Sequence, residues 1–312
     1  MTLQAILVVK LSSIGDVVHT IPSVLALRAR YPDARLDWLV GAAAAPIVTA
    51  LSGVDRALIA EERPTLRRRG FRYDLAIDFQ GLLRSSVETL RSGARLRAGR
   101  GRWPWLHVSV PMYDAERTPH AVENTARVLG ALDIPFVFDA DALSGWAGSL
   151  RSRGEELARE QGLPRPFVAW FPKTRWASKD LPLDEVARFP GAAHVLLGSP
   201  AIPAAPPIAA APPLRNLTGR LPLLDSVAIA LAADRVVAAD TGPAHLAALL
   251  GARIAGCFGP TRAARTGLRG PSATNVESSC GGCYRRRCGR AATCMREALG
   301  AVTPGVSPAI PP

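Results

Sequence analysis

Residues 236–245 read Val-Val-Ala-Ala-Asp-Thr-Gly-Pro-Ala-His. The β-branched and small apolar start is a buried-strand pattern. Thr241 and Gly242 form a tight turn, and Pro243 suits the first turn of a helix. A strand that ends at an acidic residue and passes at once into a helix belongs to a parallel α/β sheet. Ligands of such sheets collect outside the carboxyl ends of the strands. The unpaired N–H groups at the helix start can cradle a diphosphate. Asp240 at the strand end can accept hydrogen bonds from sugar hydroxyls, or simply cap the helix. His245 is either part of that site or a packed core imidazole.

The neighbouring strand Arg253–Phe258 ends in the same way, at Phe258-Gly259-Pro260-Thr261. Working outward, Phe167–Phe171 and His194–Leu197 read as strands, and Asp225–Ala232 and Pro243–Leu250 as helices. Arg253–Phe258 is the last clear strand. Ala5–Lys10, Leu36–Val40 and Asp74–Phe79 are strands of an earlier series. Its helices are a segment ending near Arg30, then Gln80–Arg91 and His120–Leu132. Pro22 either kinks the first helix or follows a restart capped by Thr20. The alternation runs twice, with a junction near residues 140–165. The expected fold is therefore α/β, with doubly wound parallel sheets in two domains, 1–155 and 156–312. A chain of 312 residues suits two cores.

The first series has its own strand-turn-helix loop, Ser12-Ser13-Ile14-Gly15-Asp16. Gly15 permits close backbone approach. Asp16 is expected at the mouth of a cleft, where a general base would be useful. An acidic residue in a first helical turn is also favoured by the helix dipole alone. The G-x-G-x-x-G pattern of dinucleotide-binding folds is absent from the loop.

The formal charge is +12, and the only lysines are Lys10, Lys173 and Lys179. Arginine therefore carries nearly all of the positive charge. Between Arg63 and Arg102 it meets only Asp74, Asp78 and Glu88. Such a surface attracts anions, although a biased codon usage would produce the same excess. No apolar run is long enough to cross a membrane. Met1–Lys10 reads as a first strand rather than a signal peptide, which points to the cytoplasm. Four cysteines fall at Cys280, Cys283, Cys288 and Cys294. They are reduced thiols or metal ligands in that compartment. With Arg285, Arg286 and Arg287 they leave open a metal- or nucleic-acid-binding tail, which the doubly wound pattern disfavours. The segment Ser199–Leu214 is mostly Ala and Pro and contains no acidic residue.

Six runs together resemble glycosyltransferase family 9, the ADP-heptose:lipopolysaccharide heptosyltransferases. They are Lys10–Thr20 (KLSSIGDVVHT), Ala76–Ser85 (AIDFQGLLRS), His120–Glu123 (HAVE), Arg175–Lys179 (RWASK), Ala239–His245 (ADTGPAH) and Phe258–Thr261 (FGPT). The resemblance implies a GT-B fold, two Rossmann-like domains facing across a cleft. It implies inverting, metal-independent transfer of heptose from ADP-heptose to the Kdo-bearing inner core of lipopolysaccharide. Asp16 would be the catalytic base. Ser13, Gly15, Thr174, Lys179, Asp240, Thr241, Gly242, His245 and Thr261 would bind the donor. Arg67, Arg68, Arg69, Gln80 and Arg84 would bind the anionic acceptor. No metal or other cofactor and no nucleic acid is expected. The expected protein is a monomer, peripheral at the cytoplasmic face of the inner membrane. The alternative is a family relative with another nucleotide sugar or glycan acceptor.

Overall fold

Ala5–Val9 (β1) has all five side chains buried, as a strand covered on both faces must. It pairs in parallel with Arg35–Val40 (β2) on one side and Leu75–Asp78 (β4) on the other. Arg56–Ile59 (β3), Leu96–Arg100 (β5) and Val108–Val110 (β6) complete a six-stranded sheet in the order β3-β2-β1-β4-β5-β6. Every pairing in it is parallel. The second sheet contains Val168–Phe171 (β7), His194–Leu196 (β8), Leu214–Asn216 (β9), Arg235–Ala239 (β10), Ile254–Phe258 (β11) and Ala273–Glu277 (β12). Its order is β12-β11-β10-β7-β8-β9, again all parallel. Both are the 3-2-1-4-5-6 order of the Rossmann fold. The computed structural model describes residues 3–62, 66, 72–112, 119–186, 189, 193–199 and 213–302.

The helices are Ile14–Arg30 (α1), Ala45–Ala50 (α2), Leu83–Arg91 (α3), Ala121–Gly130 (α4), Ser144–Glu160 (α5), Leu183–Val186 (α6), Leu223–Ala232 (α7), Gly242–Leu249 (α8), Ala263–Thr266 (α9) and Ala291–Gly300 (α10). α1 runs unbroken through Pro22, so the restart at Thr20 is not used. The Thr20 hydroxyl instead donates to the Asp16 carbonyl one turn back, at 2.8 Å. α3 begins at Leu83 rather than Gln80. The Asp78 carboxylate accepts the N–H groups of Gln80 and Gly81, each at 2.9 Å. Gly81 is in the left-handed region at φ 79°, so the chain turns before the helix starts.

Five short strands lay outside the sequence expectation: β3, β5, β6, β9 and β12. Most of their residues are only half-buried or exposed, which removes the apolar signature. β12 follows Arg253–Phe258, the last strand anticipated.

The chain divides into two compact units, Met1–Ala142 and Leu143–Pro312. The boundary expected at 155/156 falls inside α5. That helix packs along α7, and Gly154 lies directly against the Ala228 backbone. The close approach assigns the whole helix to the second unit. No described helix is long and apolar enough to cross a membrane.

Candidate active site

In a doubly wound sheet the binding crevice opens where the strand order reverses. In the first unit the reversal lies between β1 and β4, so the segments after Val9 and Asp78 flank it. Asp16 is the third residue of α1. Its Oδ2 accepts the Ser13 N–H at 3.0 Å and the Ser13 hydroxyl at 2.7 Å. Its Oδ1 lies 3.8 Å from Lys10 Nζ, and the side chain is 48% exposed. The helix-start reading is met, with one carboxylate oxygen serving the turn and the other facing Lys10. Gly15 is the second residue of the same helix.

Gln80 does something the sequence did not announce. It is buried, and its Oε1 accepts the backbone N–H groups of Leu11 at 2.8 Å and Ser12 at 3.1 Å. Assigned above to the acceptor, it uses its carbonyl oxygen to hold the loop that carries Ser13 and Asp16. Asp78 supports it from below and also accepts the Ser85 hydroxyl at 2.9 Å. Burial pushes the Asp78 carboxyl up to about 6, against the hydrogen bonds from Gly81, Ser85 and Gln80 and the Lys10 charge. Burial likewise lowers the Lys10 ammonium, and Asp16 and Asp78 oppose that effect while Arg100 reinforces it. Arg84 is exposed on the first turn of α3, 3.9 Å from Glu61. Arg67, Arg68 and Arg69 lie outside the described residues.

In the second unit the reversal lies between β7 and β10. Lys179 follows β7 and Asp240 directly follows β10, so the fold joins two residues far apart in sequence. Lys179 Nζ donates to the Asp240 carbonyl at 2.8 Å and to its Oδ2 at 3.1 Å. His245 Nε2 lies 2.9 Å from Asp240 Oδ1, and the Thr261 hydroxyl donates to Oδ2 at 2.9 Å. Burial alone would raise the Asp240 carboxyl. The His245 hydrogen bond and charge, the Lys179 charge and the Thr261 hydrogen bond outweigh it, and hold the carboxyl well below the usual range. Thr241 is the N-cap residue of α8 and Gly242 its first residue. The α8 N-terminus thus opens beside this cluster. Thr174 sits in the turn after β7, where its N–H donates to Asp180 Oδ1 at 2.8 Å and its hydroxyl to the Trp176 carbonyl at 2.7 Å.

Asp180, Trp176 and Lys10 belong to these sites and were not among the anticipated residues. Asp180 also pairs with Lys173 at 2.9 Å. Trp176 lies under both Lys179 and Arg286. One signal was present in the composition. In a chain that otherwise uses arginine, each of the three lysines forms an ion pair at a strand-end site.

The cysteine segment is not a separate module. The Arg285 carbonyl accepts the Ser178 hydroxyl at 2.5 Å, and the Pro260 carbonyl accepts the Tyr284 N–H at 2.9 Å. The segment therefore braces the turns that carry Lys179 and Thr261. Burial raises the Cys294 thiol, and Cys280 adds to the effect. Among the described residues no group of three or more His, Cys, Asp or Glu side chains is arranged to hold a metal ion.

The sequence profile of glycosyltransferase family 9 (heptosyltransferase) matches residues 64–292. The chain belongs to that family. It is a glycosyltransferase. Lipopolysaccharide heptosyltransferase 1 of Pseudomonas aeruginosa is 29% identical over 91% of this chain and 87% of that protein. Among solved structures, Escherichia coli ADP-heptose LPS heptosyltransferase II superposes with a TM-score of 0.71 at 22% identity, covering 89% of this chain and 92% of that one. The Escherichia coli heptosyltransferase WaaC with ADP gives 0.65 at 21% identity, covering 88% and 94%. The two parallel six-stranded sheets are those of the GT-B fold that the resemblance implied, and the alternation of strands and helices had implied the parallel sheets themselves.

Proposed function

We propose that this glycosyltransferase moves heptose from ADP-heptose to the Kdo-bearing inner core of lipopolysaccharide, with inversion and without a metal. Asp16 is the observation that carries the reading. It is a carboxylate nearly half exposed at a switch-point strand end, oriented by Ser13 and faced by Lys10. In the reaction Asp16 takes the proton of the acceptor hydroxyl. The hydroxyl oxygen attacks the anomeric carbon from the side opposite the diphosphate. The anomeric C–O bond breaks, its electron pair leaves with ADP, and the configuration inverts.

The departing diphosphate gains negative charge, which preorganised donors and cations stabilise best. The α8 N-terminus supplies N–H groups there. An ammonium has three N–H donors, and Lys179 spends two on Asp240. The third remains for a phosphate oxygen. Asp240 holds Lys179, and His245 and Thr261 hold Asp240. Similarity to the heptosyltransferase 1 of Pseudomonas aeruginosa along 91% of the chain supports heptose as the transferred sugar. The same reading has the enzyme working at the cytoplasmic face of the inner membrane, where a lipid-linked acceptor would be met, and takes it to be a monomer with no nucleic-acid partner.

The test is ADP release from ADP-heptose with a Kdo-bearing acceptor. Asp16→Ala is expected to lose roughly 10²- to 10⁴-fold in turnover, the range of general-base catalysis. Chelators are expected to leave wild-type turnover unchanged. Retention of turnover in Asp16→Ala would remove the base assignment. Preference for UDP- or GDP-sugars would replace the donor with that of another family member.

A further inference from the structure

α3 is built with its polarity reversed. Ser85, Ser86 and Thr89 on the helix, and Ser92 just after it, are fully buried. Leu83 is 58% exposed, Leu90 40%, and Leu82 at the N-cap position 53%. A helix packed against its own domain in water shows the opposite arrangement. Among the described residues six large apolar side chains are exposed, and three of them lie on this one short element.

The inversion has a local cause. The Ser85 hydroxyl bonds Asp78, and the hydroxyls of Ser86, Thr89 and Ser92 bond carbonyls of the helix itself, at 3.2, 3.0 and 2.6 Å. On the inward face Ser85 seats a buried carboxylate, and the other three hydroxyls are satisfied by the helix backbone. The leucines are left facing outward on a helix clamped from within.

Two tryptophans adjoin the helix. Trp103 and Trp105 stack with ring centroids 5.8 Å apart and planes 15° apart. Their indole N–H groups donate to the Gly81 carbonyl at 3.2 Å and the Ser86 carbonyl at 2.9 Å. The aromatic pair is thereby fastened to α3, with both rings partly exposed. Arg84 and Arg91 on the helix, and Arg95 and Arg102 on either side of β5, are well exposed. Glu88, Glu61 and Asp74 answer only part of that charge.

We propose that the outer face of α3, together with the Trp103–Trp105 turn, docks on an anionic phospholipid surface. Exposed leucines, half-buried tryptophans and an arginine rim form the composition of a helix that lies in a membrane interface. Charge complementarity selects lipid over a neutral apolar partner, because a basic residue near an anionic bilayer is attracted to it while leucine enters the acyl boundary. The inference deepens the membrane contact proposed above. It rests on that reading only for why the enzyme would need a membrane.

Vesicle sedimentation tests it, with phosphatidylcholine alone against phosphatidylcholine containing phosphatidylglycerol. The full chain is expected to sediment with the anionic vesicles and to be released by salt. Leu83→Ser/Leu90→Ser is expected to lose up to about a hundredfold in partitioning, since burying each leucine is worth roughly tenfold. Arg91→Glu/Arg95→Glu is expected to lose the preference for anionic vesicles. Both variants are expected to melt with the wild type and to turn over a water-soluble, delipidated acceptor at the wild-type rate. That separates failure of docking from failure of the catalytic reading. Equal partitioning of wild type and the leucine variant would overturn the proposal. So would a wild type that ignores anionic vesicles, or one that dimerises through this face in sedimentation equilibrium while the leucine variant stays monomeric.

Discussion

Gly154→Ala adds one methyl group at the closest approach of α5 to α7. The new Cβ would overlap the backbone carbonyl of Ala228 and lie 3.1 Å from the backbone nitrogen of Ile229. Backbone atoms cannot rotate away as a side chain does, so the two helices must separate. Overpacking of this kind costs about 3 kcal/mol, the upper part of its ordinary range. Replacing glycine inside a helix recovers about 1 kcal/mol. The net expectation is a loss of about 2 kcal/mol. For a unit of this size that lowers the melting temperature by roughly 4–8 °C. Gly148 lies on the same helix with nothing within 4 Å of an added Cβ. Gly148→Ala keeps only the propensity gain and is expected to raise the melting temperature. Thermal unfolding by circular dichroism reads both. If the two substitutions shifted the transition alike, the close packing of α5 on the second unit would be refuted.

Gln80→Met leaves the buried amide of Leu11 and the part-buried amide of Ser12 without their acceptor. Each such loss costs about 1–3 kcal/mol, so urea unfolding should show a drop of about 2 kcal/mol or more. kcat should fall with little change in the acceptor KM; a raised KM with unchanged kcat would restore Gln80 to the acceptor. Asp240→Asn removes a carboxylate whose folded pKa is depressed. Its contribution is fully present above the unfolded value of about 4 and is lost as the pH falls toward the folded value. The variant should be about 3 kcal/mol less stable at pH 7 and approach the wild type in acid. A stability difference that stays constant with pH would count against the cluster.

Much of the architecture is legible in the chain. β1, β11 and Val236–Ala239 of β10 are unbroken apolar runs ending in turns, and that pattern implies parallel sheets with ligands at their carboxyl ends. The strand-end turns at Asp16 and Asp240 stand out as strand-to-helix junctions, although an acid at such a junction also suits a helix cap or the helix dipole. The edge strands escaped because β6 and β9 have three residues each and bury little. The domain boundary escaped because nothing local in α5 says which unit its Gly154 will meet.

What only the tertiary structure decided is the pairing of side chains across the reversal of strand order. Gln80 meets Leu11 because β4 lies beside β1, and Lys179 meets Asp240 because β10 lies beside β7. Sequence periodicity reports which faces are buried, not which strands are neighbours. The reversed polarity of α3 has the same origin. Ser85 faces inward onto Asp78, and Asp78 is positioned by the sheet.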